Sequence, residues 1–212
     1  MKKYFVLIVL FLASTLSIFS QTKEFASTIL DKTSKRLQSN GILSANFVLT
    51  TNENTKEEST ILGTIYMKGQ MYMIKTSAAT TWYDGNNQWT LLAGDNEVSL
   101  VTPTEEELQT SSPSAFLNLY KYGYALSAKK TELRSKQSWE VTMTAKNKQQ
   151  EPSKVIAIIE KATYDILNVR VQSNGKWTRI SVNDIKSNPV LTDVIFSFPK
   201  DEYQGYQVID LR

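Results

Sequence analysis

The two side chains that most often carry out chemistry in proteins, histidine and cysteine, are absent from this sequence. Ser-His-Asp and Cys-His nucleophiles are therefore excluded, as are zinc sites built on imidazole or thiolate. Two carboxylates placed together could still form a glycosidase pair, and the candidates are Asp84, Glu97, Glu140 and Asp184. Nothing in the sequence brings any two of them together, and Asp84 is better explained as a turn residue. We expect no catalytic residue, no metal and no cofactor, with an enzyme acting on a soluble substrate as one alternative.

Residues 1–20 have the pattern of a secretory signal peptide. Lys2 and Lys3 precede an apolar run, Phe5 to Leu12, and a stretch of small residues follows. We expect cleavage after Ser20 or slightly earlier, leaving one domain over residues 21–212; a retained membrane anchor is the alternative. Removal of the segment leaves 22 basic against 21 acidic residues, so the charge does not favour nucleic acid as a partner.

The lack of cysteine also bears on how the exported chain is held. A bacterial lipoprotein needs a cysteine at its processed N-terminus to carry acyl chains, so we expect a soluble protein that is not lipid-anchored. No disulfide can stabilise it, and the roughly 190 remaining residues must bury a core, which that length allows. No coiled coil or long unprotected apolar helix calls for a second subunit, so a monomer is expected.

The stretch from Ile61 to Leu92 is the centre of the predicted fold. It contains two runs in which apolar residues alternate with a period of two, as in strands. The sequence Asp84-Gly85-Asn86-Asn87 reverses the chain, because Gly and Asn accept positive φ at low cost. An even-length loop centred there pairs Trp82 with Trp89 on one face, where they form a broad apolar wall.

The rest of the chain reads as helices around many short strands. We predict helices over Glu24 to Gln38 and Pro113 to Tyr124, with the acidic run at Glu105 to Glu107 as a solvated turn. Alternation predicts the other strands: Ala45 to Thr51, Asn96 to Val101, from Trp139 through Met143, Lys154 to Ile159, Tyr164 to Gln172, Trp177 to Ile185, Val194 to Phe198 and Tyr206 to Leu211. Asn174-Gly175 predicts a hairpin between two of them. The pattern indicates a mainly β protein with some α structure, in which about ten antiparallel strands form a strongly curved sheet or an incomplete antiparallel β-barrel, covered by an N-terminal helix.

Several short motifs in a fixed order resemble the LolA family of periplasmic lipoprotein carriers. They are S-A-N-F at Ser44 to Phe47, G-T-I-Y-M-K at Gly63 to Lys68, W-Y-D-G-N-N-Q-W at Trp82 to Trp89, S-P-S-A-F-L at Ser112 to Leu117, and F-S-F-P-K-D followed by Y-Q-V-I-D between Phe196 and Asp210. The resemblance covers nearly all of the expected mature chain.

The resemblance implies an open barrel with a helical lid. It also implies a carrier that receives acylated lipoproteins from an inner-membrane exporter, shields their acyl chains in the periplasm and passes them to an outer-membrane acceptor. One departure concerns the lid. The family usually has Lys-Arg-Pro after the second strand, with the arginine helping to latch the lid, whereas this chain has Lys68-Gly69-Gln70.

An acyl-binding cavity would be large, apolar and adaptable, which suits methionine and aromatic side chains. The predicted lining residues are Phe47, Leu49, Ile65, Met67, Met71, Met73, Trp82, Trp89, Leu91, Val141, Met143, Ile156 and Ile158. The predicted lid residues are Phe116, Leu117 and Tyr120, and we expect Leu117→Glu to weaken acyl binding without unfolding the protein. The alternatives are a solid core on the same fold, or a LolA-like lipid-binding or envelope-sensing module with another apolar ligand.

Overall fold

The computed structural model describes residues 23–38, 41–53, 55–188 and 190–212, so the predicted signal peptide lies outside the described residues. Residues 23–37 form helix α1, and helix α2 is Glu105–Ser111. Two 3-10 helices follow at Ala115–Lys121 and Asp193–Phe196. The strands are β1 (Ile42–Thr51), β2 (Ser59–Lys68), β3 (Met71–Thr76), β4 (Ala79–Tyr83), β5 (Gln88–Leu92), β6 (Glu97–Val101), β7 (Tyr124–Leu133), β8 (Lys136–Ala145), β9 (Lys154–Glu160), β10 (Ile166–Ser173), β11 (Lys176–Asn188) and β12 (Gln207–Asp210).

All twelve strands belong to one sheet, in the order β12-β6-β5-β4-β3-β2-β1-β11-β10-β9-β8-β7. Neighbours are antiparallel except β12 and β6, which run parallel. Within the described residues β7 and β12 are the two edges, so the sheet does not close on itself. The predicted incomplete antiparallel barrel is confirmed, with twelve strands in place of about ten.

The sheet has an inner face, on which α1 packs, and an outer face. Ala26, Ile29 and Leu30 of α1 are buried against β8, β9 and β10, where the main core lies. Their spacing along the helix puts all three on one side, as the helical period requires. The inner-face residues of β8 and β9 in this core are fully buried, namely Val141, Met143, Val155, Ala157 and Ile159.

The two ends of the strands differ in what they carry. One end, called here the mouth end, holds the β2–β3 turn at Gly69-Gln70, the β4–β5 turn and the last residues of β11. The opposite end holds the β10–β11 turn at Asn174-Gly175 and the first residue of β7. The segment from α2 to the first 3-10 helix leaves β6 at the mouth end and reaches β7 at the opposite end, and it is called here the lid.

Four elements differ from their prediction. The predicted helix from Pro113 to Tyr124 is only a 3-10 helix, Ala115–Lys121, while the acidic run forms α2. Thr104 explains α2, because its hydroxyl accepts from the backbone N–H of Glu107 and the Glu107 carboxylate accepts from the backbone N–H of Thr104. The predicted strand Val194 to Phe198 is largely a 3-10 helix, and β7 was missed.

Among the described residues no helix is long and apolar enough to cross a membrane.

Candidate functional site

The strand register decides which apolar residues lie on the inner face. Residues directly opposite each other in antiparallel strands share a face. Leu49 lies opposite Ile180 of β11, which packs on the core under α1, so Leu49 is on the inner face. On β2, Ile61 pairs with Leu49 and Ile65 pairs with Ala45, so these residues are also inner. Six of the thirteen predicted lining residues lie on this face: Phe47, Leu49, Ile65, Met67, Val141 and Met143.

The other seven predicted lining residues lie on the outer face. Trp82 pairs with Trp89, as predicted, and also with Met73, but these side chains pack under the C-terminal segment. The ring centroid of Trp82 is 5.4 Å from that of Phe198 and 5.9 Å from that of Tyr203. The prediction that all thirteen residues line one cavity is therefore wrong for seven of them: Met71, Met73, Trp82, Trp89, Leu91, Ile156 and Ile158.

On β9 the predicted set of inward-facing residues is shifted by one position along the strand. Val155, Ala157 and Ile159 are fully buried on the inner face, and Ile156 and Ile158 point the other way. A strand with apolar residues at nearly every position does not reveal which set faces the helix. At Trp82 and Trp89 the cause differs, because both faces of that part of the sheet are covered.

The inner face is packed solid on one half and partly open on the other. Val141 and Met143 are fully buried, so they belong to the core beneath α1 and the lid. On β1, β2 and β3 the inner-face residues Leu43, Ala45, Met67 and Tyr72 are also buried. Six further apolar side chains of this face, on β1, β2, β3 and β11, are only half-buried. These form what we call the inner strip: Phe47, Leu49, Ile61, Ile65, Ile74 and Ile180.

A cavity of about 350 Å³ lies at the mouth end, on the same side of the sheet as the inner strip. Its apolar walls include Leu37 of α1 and Leu108 of α2, which contact the same buried cluster as Ile65 and Ile74. The cavity is called here the mouth pocket, and it is lined by Ser34, Leu37, Gln38, Gly69, Gln70, Tyr83, Glu105, Leu108, Ser112, Ser114, Ala115, Leu117 and Asn118. The lining combines polar side chains with apolar ones from α1 and the lid, so the pocket is amphipathic.

Gly69 stands on the rim of this pocket, where the family resemblance placed an arginine. Its φ of +62° fits the first central position of a two-residue hairpin, and Lys68 pairs with Met71 across the turn. A side chain at this position would meet no heavy atom within 4 Å of its Cβ. The rim is therefore open at the point where the family has its latch.

The lid is attached to the body by apolar side chains and by a hydrogen bond to α1. Leu117 is 2% exposed and packs in the core, while Phe116 and Tyr120 are half-buried against it. The Tyr120 hydroxyl donates a hydrogen bond of 2.7 Å to Asp31 of α1. Burial and this hydrogen bond raise the pKa of Tyr120 to about 12.

The burial of Leu117 corrects the expectation for Leu117→Glu. A carboxylate there would enter the core without a partner, which destabilises a fold strongly. Sequence reasoning also missed Leu108 and Asp31. Leu108 follows the acidic run that was expected to be solvated, and a carboxylate on an exposed helix face gives no signal of a partner 89 residues away.

Comparison with known proteins places the chain in a family. The family model for the outer membrane lipoprotein carrier protein LolA matches residues 16–175, which is most of the chain. The chain therefore belongs to the LolA family. A comparison with curated proteins gives no significant match.

Solved structures resemble the chain at low sequence identity, and the first described here shares its fold. An uncharacterized conserved protein from Thermus thermophilus is 15% identical, with a TM-score of 0.61 over 87% of this chain and 98% of that one. A LolA superfamily protein from Nitrosomonas europaea is 10% identical, with a TM-score of 0.44 over 82% of this chain and 97% of that one. LprF from Mycobacterium bovis is 12% identical, with a TM-score of 0.46 over 83% and 97%.

Proposed function

We propose that this protein carries the acyl chains of lipoproteins through the aqueous space between two membranes. The observation that supports this most is the half-buried inner strip, an apolar surface on the same side of the sheet as the mouth pocket and the lid. Membership of the LolA family supports the same role. The proposal assigns no catalytic step, no metal and no cofactor to the protein.

The energetics explain why such a surface is needed. Each methylene group kept out of water is worth about 0.8 kcal/mol, so a 16-carbon chain costs on the order of 12 kcal/mol to expose. That corresponds to a penalty near a billionfold in equilibrium. A carrier must remove most of this cost and still release its cargo. Flexible apolar contacts with few fixed polar partners meet both demands.

The lid must move for the proposed cargo to enter. A pocket of about 350 Å³ is at the low end of the roughly 300–1,000 Å³ typical of drug-sized ligands. Several acyl chains need more room, and the inner strip supplies it if the lid swings away. The lid consists of two short helices joined at residues 112–114, and 3-10 geometry is less stable than α-helical geometry.

The proposed setting follows from the family and the expected export signal. The protein would act in the periplasm as a soluble monomer, with an inner-membrane exporter as donor and an outer-membrane protein as acceptor. In place of the family arginine at Gly69, the hydrogen bond between Tyr120 and Asp31 would hold the lid closed. Loading would then require this contact to break.

The small polar-rimmed pocket favours one further candidate, a module that binds a single lipid as a ligand or signal.

Native mass spectrometry separates the two functions. The exported protein would be purified gently from the periplasm and measured before and after incubation with membranes that contain lipoproteins. A stoichiometric adduct with an acylated protein supports the carrier. A bound lipid without protein supports the single-lipid module, and an empty protein under both conditions contradicts both.

A further inference from the structure

The segment that follows β11 and includes the first two residues of the second 3-10 helix exposes aliphatic side chains to solvent. Val190 is 90% exposed and Val194 is 75% exposed, and Leu191 between them is 38% exposed. Residues 190–194 are called here the apolar loop. Single exposed apolar residues are common on protein surfaces, but here three lie within five residues of one segment.

The apolar loop lies beside the mouth pocket. Its only charged residue, Asp193, accepts hydrogen bonds of 2.7 and 2.8 Å from the Lys68 ammonium group. Lys68 is the last residue of β2, and the next residue, Gly69, lines the mouth pocket. The ion pair therefore ties the apolar loop to the rim of the pocket.

The same ion pair reduces the cost of bringing the loop near lipid. Both oxygens of the Asp193 carboxylate are paired with one cation, so this short segment carries no uncompensated charge. Unpaired charge opposes entry into an apolar phase, and paired charge opposes it less. The exposed groups are aliphatic and small, which suits shallow insertion among lipid chains.

We propose that the apolar loop inserts into the surface of a lipid bilayer and holds the mouth pocket against it. This inference rests on the proposed carrier function, because it supplies a route for the cargo. An acyl chain that passes from the pocket to a bilayer in contact with its rim avoids the cost of crossing water. Three aliphatic side chains anchor a protein only weakly, so the contact would be reversible, as repeated loading and release require.

A labelling experiment tests the insertion directly. The chain has no cysteine, so Val190→Cys creates a unique site for an environment-sensitive fluorophore. We expect its emission to shift to the blue when phosphatidylcholine vesicles are added. The shift should persist at high salt, since zwitterionic lipid and a neutralised loop leave little electrostatic attraction. Leu92→Cys, 54% exposed at the opposite end of the strands, is the matched control and should not shift.

A flotation experiment measures how much the loop contributes. Val190→Asp and Val194→Asp should each lower partition into the same vesicles about tenfold, since each removes one apolar anchor and adds a charge. Leu92→Asp should leave partition unchanged. Binding of a fluorescent fatty acid in solution, without vesicles, should be the same in all three variants.

The outcomes separate this inference from the carrier function. If the label at residue 190 does not respond to vesicles while the protein binds fatty acid, the loop inference is overturned and the carrier proposal stands. If the label responds but no fatty acid binds, the carrier proposal fails and the loop still contacts lipid. A blue shift that depends on protein concentration without vesicles would show that a second copy covers the loop, and this would also overturn the inference.

Discussion

The hydrogen bond between Tyr120 and Asp31 gives the sharpest test of how the lid is held. Tyr120→Phe removes one hydroxyl group and keeps the ring that packs on the core. The structure therefore predicts a specific loosening of the lid with little effect on the sheet. The Asp31 end is exposed to solvent, which limits what the bond contributes.

The size of the effect follows from these surroundings. Hydrogen bonds to charged groups contribute about 1.5–3 kcal/mol, and neutral ones about 0.5–1.5 kcal/mol. Because Asp31 is exposed and water competes for it, we take about 1 kcal/mol. The open lid should then be about fivefold more populated in Tyr120→Phe than in the parent protein.

Hydrogen exchange followed by mass spectrometry measures this population. We expect amides in peptides covering residues 112–124 to exchange about fivefold faster in Tyr120→Phe, with no change in β8 and β9. The matched control is Tyr122→Phe, because Tyr122 is 51% exposed and its hydroxyl has no hydrogen-bond partner among the described residues. Equal exchange in the parent protein and both variants would refute the latch. Faster exchange throughout the protein would indicate global destabilisation and would also count against it.

Three further predictions test the site and its surroundings. In Gly63→Ala the new Cβ would overlap the Phe47 ring, so the free energy of unfolding should fall by about 1–3 kcal/mol in urea denaturation, and an unchanged midpoint would contradict the register. Burial, with a smaller effect of a neighbouring tyrosine, raises the pKa of Tyr72 to about 12. The pKa of an unfolded tyrosine is about 10, so the stability that Tyr72 provides is complete below pH ~10 and should be lost as the pH rises toward 12, by about 1–2 kcal/mol relative to Tyr72→Phe. Parallel curves of unfolding free energy against pH for the two proteins would contradict this. Ile65→Gln on the inner strip should weaken fatty acid binding about fivefold to tenfold, while Met73→Gln on the outer face should leave it unchanged; equal losses would contradict the assignment of faces.

The sequence predicted local pairing well where turn residues determine it. The loop centred on Gly85 and Asn86 sets the register that pairs Trp82 with Trp89, and the Asn174-Gly175 hairpin forms as predicted. Both turns place residues at positive φ, which glycine and asparagine accept at low cost. The open-barrel class followed from the number of such strands and the lack of βαβ units.

The sequence did not predict which face each strand presents to the helices. That depends on long-range packing, as at Trp82, where Phe198 and Tyr203 cover the outer face from more than a hundred residues away. The parallel pairing of β12 with β6 also depends on residues far apart in the sequence, and the sequence did not predict it. Leu108 of the lid is a similar case, because it follows three glutamates in sequence and only the folded chain shows that it packs against the cluster of Met67, Tyr72 and Tyr83.

The most direct test of the central claim is photo-crosslinking with a fatty acid that carries a diazirine on its chain. The protein would be irradiated with this probe, digested, and sequenced by tandem mass spectrometry to locate the modified residues. If acyl chains bind on the inner strip, the adducts will fall on residues such as Phe47, Leu49 and Ile65. Adducts confined to Met73, Trp82 and Trp89 would contradict the account, because they would place the bound chain on the outer face.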